Sequence, residues 1–151
     1  MLTILRLSII FLTCLLLSFQ DIRYKKISVP VLAVAYILQL IILCFASIEL
    51  LIPHLINSVV FFLFYLFQSR FLKGKLGFGD ILFAAFSGLS ITYWEFLWVA
   101  LIIPPIAALI FALFFYISNH KIVGVRIPFI PFMSLGLIIT ALLELFFKFA
   151  Q

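Results

Sequence analysis

The sequence MLTILRLSIIFLTCLLLSFQDIRYKK, residues 1–26, contains the pattern from which the architecture follows. Its first 20 residues carry one charge, Arg6, and about 20 apolar residues in a helix are enough to cross the hydrocarbon core of a bilayer. Asp21 follows at once, and then Arg23, Lys25 and Lys26. The apolar run lacks the small-residue cleavage site of a signal peptide. We therefore expect a retained first membrane helix that ends at a charged surface.

The same pattern recurs along the chain, which has 151 residues, 68% of them hydrophobic and 10% charged. Soluble domains are about 45–50% apolar and about 25% charged, so a water-soluble fold is excluded. The apolar runs predict an all-α polytopic membrane protein that forms a single domain over residues 1–151. We place its six helices at residues 2–20, 30–48, 52–69, 79–93, 97–117 and 129–148. The fourth has a clean apolar part, from Ile81 to Thr92, that is short for a full crossing, so we expect it either to start late or to be partly shielded from lipid by its neighbours.

The basic residues predict the orientation of these helices. Eight of the ten lie on alternate loops, after the first, third and fifth helices, whereas the loops near 49–54 and 92–96 have an acid and no Lys or Arg. Basic loops face the cytoplasm, so we expect both termini on the opposite side. Charges this dispersed do not indicate a nucleic-acid partner; the lipid bilayer is the expected surrounding. The eight residues are Arg23, Lys25, Lys26, Arg70, Lys73, Lys75, Lys121 and Arg126.

Two of the five acidic residues, Asp21 and Asp80, fall on the predicted cytoplasmic side. Each has an ordinary explanation: Asp80 as a helix N-cap, and Asp21 as one partner of a solvated surface ion pair. The alternative is a catalytic pair. Two carboxyl groups held close share one proton, so that one activates a water for attack on an amide and the other protonates the carbonyl oxygen.

The residues before Asp80 form the motif Gly77-Phe78-Gly79-Asp80. Two glycines without Cβ atoms would let a substrate backbone approach the acid closely. A motif of four residues arises often by chance, so its weight comes from its position at a membrane boundary.

Other catalytic groups are poorly represented. His54 lies on the predicted outer side, and His120 has no Cys or second His near it in sequence. Cys14 and Cys44 each lie in an apolar run, and we expect both to be small buried side chains. A metal site or a Ser-His or Cys-His nucleophile is therefore weakly supported.

Three segments together resemble the membrane domain of prepilin peptidases, the type IV leader peptidases, which belong with the GxGD intramembrane aspartic proteases. The first begins at Asp21 and runs through the basic stretch to Ile27, the second is the motif that ends at Asp80, and the third is Arg126-Ile127-Pro128-Phe129-Ile130-Pro131-Phe132. Their order and the six-helix layout match the family across nearly the whole chain.

The resemblance implies an aspartic endopeptidase in the cytoplasmic membrane of a bacterium or archaeon. It would remove the short basic leader from type IV pilin-like precursors at the cytoplasmic face, with Asp21 and Asp80 as the catalytic pair and no cofactor. The larger members carry a zinc-binding cytoplasmic domain that methylates the product; this sequence has no CxxC motif, so we expect neither zinc nor methyl transfer. By resemblance the cleft and its support comprise Gly77, Phe78, Gly79, Arg126, Pro128, Phe129 and Pro131.

Two departures from the family pattern leave other functions open. Leu82 stands where the family usually has Lys, and Ser28 where it usually has Pro. A small transporter or proton-relay protein would also place carboxylates in a membrane. A catalytically inactive assembly partner of a pilus or secretion system is the third possibility.

Overall fold

The computed structural model describes residues 2–46, 48–71, 76–119 and 127–150. These residues form six α-helices and one 3-10 turn, and the described ranges contain no strand, so the all-α prediction is confirmed. The helices are α1 Leu2–Tyr24, α2 Val29–Ala46, α3 Ile48–Phe71, α4 Phe78–Ser90, α5 Leu97–Asn119 and α6 Ile130–Ala150, with the 3-10 turn at Trp94–Phe96.

Two predicted boundaries are wrong in ways that affect function. Helix α1 does not end at residue 20 but continues to Tyr24, so Asp21 lies inside its last turn. Lys25 stops the helix because it adopts a left-handed conformation with φ of 52°. Helix α3 begins at Ile48, so the predicted loop at 49–54 is its first turns. Glu49 in the first turn of α3 is favourable because the helix dipole attracts negative charge there.

The remaining predicted ends agree with the structure or differ from it by at most three residues. The second helix spans 29–46 instead of 30–48, the fourth 78–90 instead of 79–93, the fifth 97–119 instead of 97–117, and the sixth 130–150 instead of 129–148. Helix ends are the least defined part of a periodic apolar pattern, because the flanking residues are apolar as well.

Helix α4 is short, as predicted. Its 13 residues span about 20 Å, less than the roughly 30 Å hydrocarbon core of a bilayer. The other five helices are long and apolar enough to cross a membrane. Most of α4 is buried, and it packs against α2, α3 and α6. Its neighbours therefore shield it from lipid.

The first and last helices define the two ends of the bundle. The Lys148 ammonium donates a hydrogen bond to the Thr3 hydroxyl at 3.3 Å, which places the start of α1 beside the end of α6. We call this the terminal end. At the opposite end, the Ile130 N–H donates to the carboxylate of Asp21 at 3.0 Å. We call this the aspartate end.

An apolar core fills the space between these ends, and it includes the fully buried rings of Phe61, Phe83 and Phe86. The outward faces of the helices are also apolar, and α5 is the least buried of the long helices. Such a surface is suited to lipid, so the chain is a multi-pass membrane protein. Cys14 is buried as predicted. The prediction that Cys44 is buried is wrong, because its side chain is exposed on this outward surface.

Candidate active site

Asp21 is buried at the junction of α1 and α6, with only 8% of its surface exposed. Its Oδ2 accepts the N–H of Ile130, the first residue of α6. The first N–H groups of a helix have no partner within the helix, and the helix dipole favours a negative charge there. Asp21 thus caps a helix 109 positions away in sequence. This degree of burial rules out a solvated surface ion pair.

Asp80 is the third residue of α4 and is half-buried. Its Oδ2 accepts the Gly77 N–H at 2.9 Å, and its own N–H donates to the Gly77 carbonyl at 3.0 Å. The two bonds close the first turn of the helix. Asp80 therefore has a capping role within the motif, whatever other role it has.

The segment after α1 brings the two aspartates to the same end of the bundle. A Cβ atom built on Gly79 would lie 2.6 Å from Cγ1 of Ile27, so the Ile27 side chain occupies the space beside this glycine. We expected that space to admit a substrate backbone; in this structure it admits Ile27. The glycine allows the Asp21 segment and the Asp80 turn to approach closely.

Tyr65 of α3 lies against the segment that leads into α6. Tyr65 is 2% exposed, and its ring centroid lies 6.3 Å from that of Phe129. Phe129 directly precedes Ile130, the partner of Asp21. Sequence reasoning missed Tyr65, because one tyrosine in an apolar run gives no signal until its neighbours are known.

The other residues that we predicted to form the cleft lie beside this region, with the exception of one that falls outside the described ranges. Phe78 is 64% exposed at the start of α4. Pro128 and Phe129 lie half-buried in the segment before α6, and Pro131 is the second residue of that helix. Proline suits a first helical turn because the N–H it lacks would have no partner there. Arg126 lies outside the described residues.

Metal ligands do not gather at this site. Within the described ranges no group of three His, Cys, Asp or Glu side chains could hold a metal ion. His54 is fully buried near the terminal end, where it contacts Arg6. His120 lies outside the described residues. The aspartate end thus offers two carboxyl groups, a tyrosine hydroxyl and apolar walls, which suit acid and base chemistry.

Comparison with known proteins identifies the family. The family model described as the type IV leader peptidase family matches residues 8–115, a range that includes Asp21 and the turn at Asp80 and ends before Pro128. No curated protein and no solved structure matches the chain. Because the family match covers well over half of the chain and both aspartates, the protein belongs to the type IV leader peptidase family.

Proposed function

We propose that this protein is an aspartic endopeptidase that removes the leader from type IV pilin-like precursors, with Asp21 and Asp80 as its catalytic residues. The family accounts for the peptidase activity and for prepilins as the substrate class. The assignment of the two aspartates and of the cleaved face is our own, and we treat residues 1–151 as one catalytic unit without a cofactor.

The observation that carries this proposal is the position of Asp21. A buried carboxylate at membrane depth is costly, so it is seldom retained without a function. Asp21 shares its end of the bundle with Asp80, and Ile27 of the segment after α1 packs against Gly79, the residue before Asp80. We infer that the two carboxyl groups share one proton, which is the arrangement that an acid and base pair requires.

The chemistry needs one proton shared between the two groups. The ionised carboxylate accepts a proton from a water, whose oxygen then bonds to the carbonyl carbon of the leader's last peptide bond. The protonated carboxyl gives its proton to the carbonyl oxygen, which forms a tetrahedral diol. When the C–N bond breaks, the amide nitrogen leaves with the electron pair and takes up the proton that came from the water, while one hydroxyl of the diol returns its proton to the second carboxylate as the C=O of the product forms. The two carboxyl groups return to their initial state.

We propose that the aspartate end faces the cytoplasm. Four of the described basic residues lie at this end, in the last turn of α1, directly after α1, and in the last turn of α3. Positive charge near helix ends favours the cytoplasmic side. A precursor whose leader is short and basic would then be cut before its apolar helix enters the bilayer. The four residues are Arg23, Lys25, Lys26 and Arg70.

Two observations favour this function over the alternatives. A proton relay needs acids or histidines through the depth of the membrane, whereas the described side chains between the two ends include the apolar rings of Phe61, Phe83 and Phe86 and neutral hydroxyl groups such as Ser87 and Thr140. Leu82, in place of the family's usual Lys, is half-buried and packs against this core, so its substitution has a packing explanation that does not require loss of activity. Methyl transfer is not part of the proposal, because the two cysteines are 30 positions apart.

The test compares the wild type with Asp21→Asn and Asp80→Asn, each co-expressed with a pilin-like precursor from the same genome. Asparagine keeps an oxygen that can accept the Ile130 or Gly77 N–H, so each cap can persist while proton exchange is lost. We expect each variant to cut the precursor at least about 1,000-fold more slowly, given the large share of catalysis that acid and base groups supply.

The matched control is Glu95→Gln, an exposed acid in the 3-10 turn at the other end of the bundle. It should cut at the wild-type rate. Equal cutting by either asparagine variant and the wild type would show that the aspartate assignment is wrong. A wild type that cuts no precursor, although it accumulates in the membrane, would favour the inactive assembly partner.

A further inference from the structure

A cluster of polar side chains lies at the terminal end of the bundle, and the mechanism above does not use it. We call it the polar cluster: Arg6, Gln39, His54, Asn57 and Glu144. Gln39 and His54 are fully buried, and Asn57 and Glu144 are at most 9% exposed. These residues come from four helices, and they surround the point where α4 ends.

The polar cluster binds the backbone of four successive residues, Ser90 to Tyr93. Arg6 donates to the Ser90 carbonyl at 3.3 Å, and Asn57 donates to the Ile91 carbonyl at 3.2 Å. One carboxylate oxygen of Glu144 accepts the N–H groups of Thr92 and Tyr93, both at 2.7 Å. Three helices thus each supply a side chain to the same short segment.

The remaining contacts hold Arg6 in place. Its guanidinium lies 2.9 Å from Nε2 of His54, whose Nδ1 lies 2.6 Å from the Leu50 carbonyl. Since the carbonyl can only accept, Nδ1 carries the proton and Nε2 accepts from Arg6. Gln39 accepts from the Arg6 guanidinium and donates to the Arg6 carbonyl. In the described residues every buried polar side-chain atom has a partner.

The depth of the polar cluster explains why the segment needs these bonds. The cluster residues on the long helices α1, α2, α3 and α6 lie four to nine residues inside the helix ends, which corresponds to about 6–14 Å. Helix α4 ends at this level, inside the ends of the helices around it. Unpaired backbone groups at such a depth are costly, because lipid offers no hydrogen bonds. Trp94 and Trp98 follow and are exposed, as is typical of the membrane interface.

We propose that Glu144 and Arg6 are positioning residues of the peptidase, which fix α4 along its axis and so hold Asp80 in register with Asp21. This role presupposes the peptidase function proposed above. Helix α4 is a single rigid element from Phe78 to Ser90, so a shift at its bound end moves Asp80 by the same amount. A misplacement of about 1 Å at a catalytic group can lower a rate about 100-fold.

The first measurement is precursor cleavage by Glu144→Gln and Glu144→Leu in native membranes. Glutamine keeps the oxygen that accepts both backbone N–H groups, whereas leucine keeps the approximate volume and removes the acceptor. We expect Glu144→Leu to lower kcat by about 10- to 100-fold with KM within about twofold, and Glu144→Gln to stay within about threefold of the wild type. Leu142→Ala, on the exposed face of the same helix, is the matched control and should match the wild type.

The second measurement reports the position of α4 without using activity. A cysteine replaces the exposed Phe78 in a Cys44→Ala background, and a membrane-impermeant maleimide labels it in vesicles. We expect Glu144→Leu to change the labelling rate by at least about threefold, because the depth of the helix start changes, while Glu144→Gln and Leu142→Ala leave it unchanged. If Glu144→Leu does not accumulate in the membrane, Asn57→Ala takes the place of that variant in both measurements. This change removes only one hydrogen bond to the segment.

The outcomes separate the two proposals. The positioning role would be overturned if Glu144→Leu showed the labelling rate and the kcat of the wild type. It would also be overturned if Glu144→Gln and Glu144→Leu lowered kcat equally. A wild type that cuts no precursor would overturn the proposed function, whereas the labelling rates would still decide whether the polar cluster sets the depth of α4.

Discussion

Gly79 is the residue at which the two candidate catalytic segments meet. The Ile27 side chain occupies the position that a Cβ atom would take, and Ile27 also packs against the apolar core. The added Cβ atom would meet a side chain and not the backbone, so a smaller side chain at Ile27 can make room for a methyl group at Gly79. This makes the approach of the Asp21 segment to the Asp80 turn testable by paired substitution.

Gly79→Ala should lower the free energy of unfolding by about 1–3 kcal/mol, because the added methyl overlaps the Ile27 side chain. Combined with Ile27→Ala it should cost at least about 1 kcal/mol less than the sum of the two single changes. Thermal unfolding in detergent of the four proteins measures this coupling. Strictly additive losses would mean that the two residues do not share this space in the membrane protein.

At the scale of elements, α4 depends on close packing against α3. A Cβ atom added to Gly88 would approach the Asn57 carbonyl and lie 2.8 Å from the Ser58 Cα. Both are backbone groups of α3, so neither can move unless the helix itself shifts. The Ser58 hydroxyl also donates to the Ala85 carbonyl at 2.8 Å. The pair α3 and α4 is therefore held by backbone contact, and the polar cluster fixes the end of α4 beyond it.

Gly88→Ala should separate α3 from α4 and destabilise the protein by about 3 kcal/mol or more, since backbone must shift. Gly136→Ala is the matched control between α5 and α6: its added methyl would lie 3.1 Å from the Pro104 ring, a milder overlap. We expect thermal unfolding in detergent to be lowered more by the change at Gly88 than by the change at Gly136. The reverse order would contradict the close contact of α3 and α4.

At the scale of the whole molecule, the arrangement of the ends determines what the protein can act on. The bond between Lys148 and Thr3 places the start of α1 and the last turn of α6 at the terminal end, and both aspartates lie at the opposite end. The even number of helices in the sequence predicts this arrangement. This arrangement does not decide which side of the membrane each end faces. The basic residues favour the cytoplasm for the aspartate end.

Reporter fusions test this orientation. Alkaline phosphatase, which is active only outside the cytoplasm, should be active when fused after residue 151 and inactive when fused after Phe71, and a green fluorescent protein should show the reverse pattern. Immunoblots of each fusion provide the control for its amount. Phosphatase activity after Phe71 alone would place the aspartates outside the cytoplasm and contradict cleavage at the cytoplasmic face.

The sequence by itself determined the membrane class, the number of helices, the short α4 and the two acids that share one end, because lipid solvation demands long apolar runs and makes each charge conspicuous. Only the tertiary structure decided that Asp21 caps α6, that Tyr65 packs against Phe129, and that Arg6 and Glu144 bind the end of α4. The physical reason is that apolar side chains facing lipid and facing the core look alike in sequence. The contacts that distinguish them join residues up to 109 positions apart, where no local periodicity connects them.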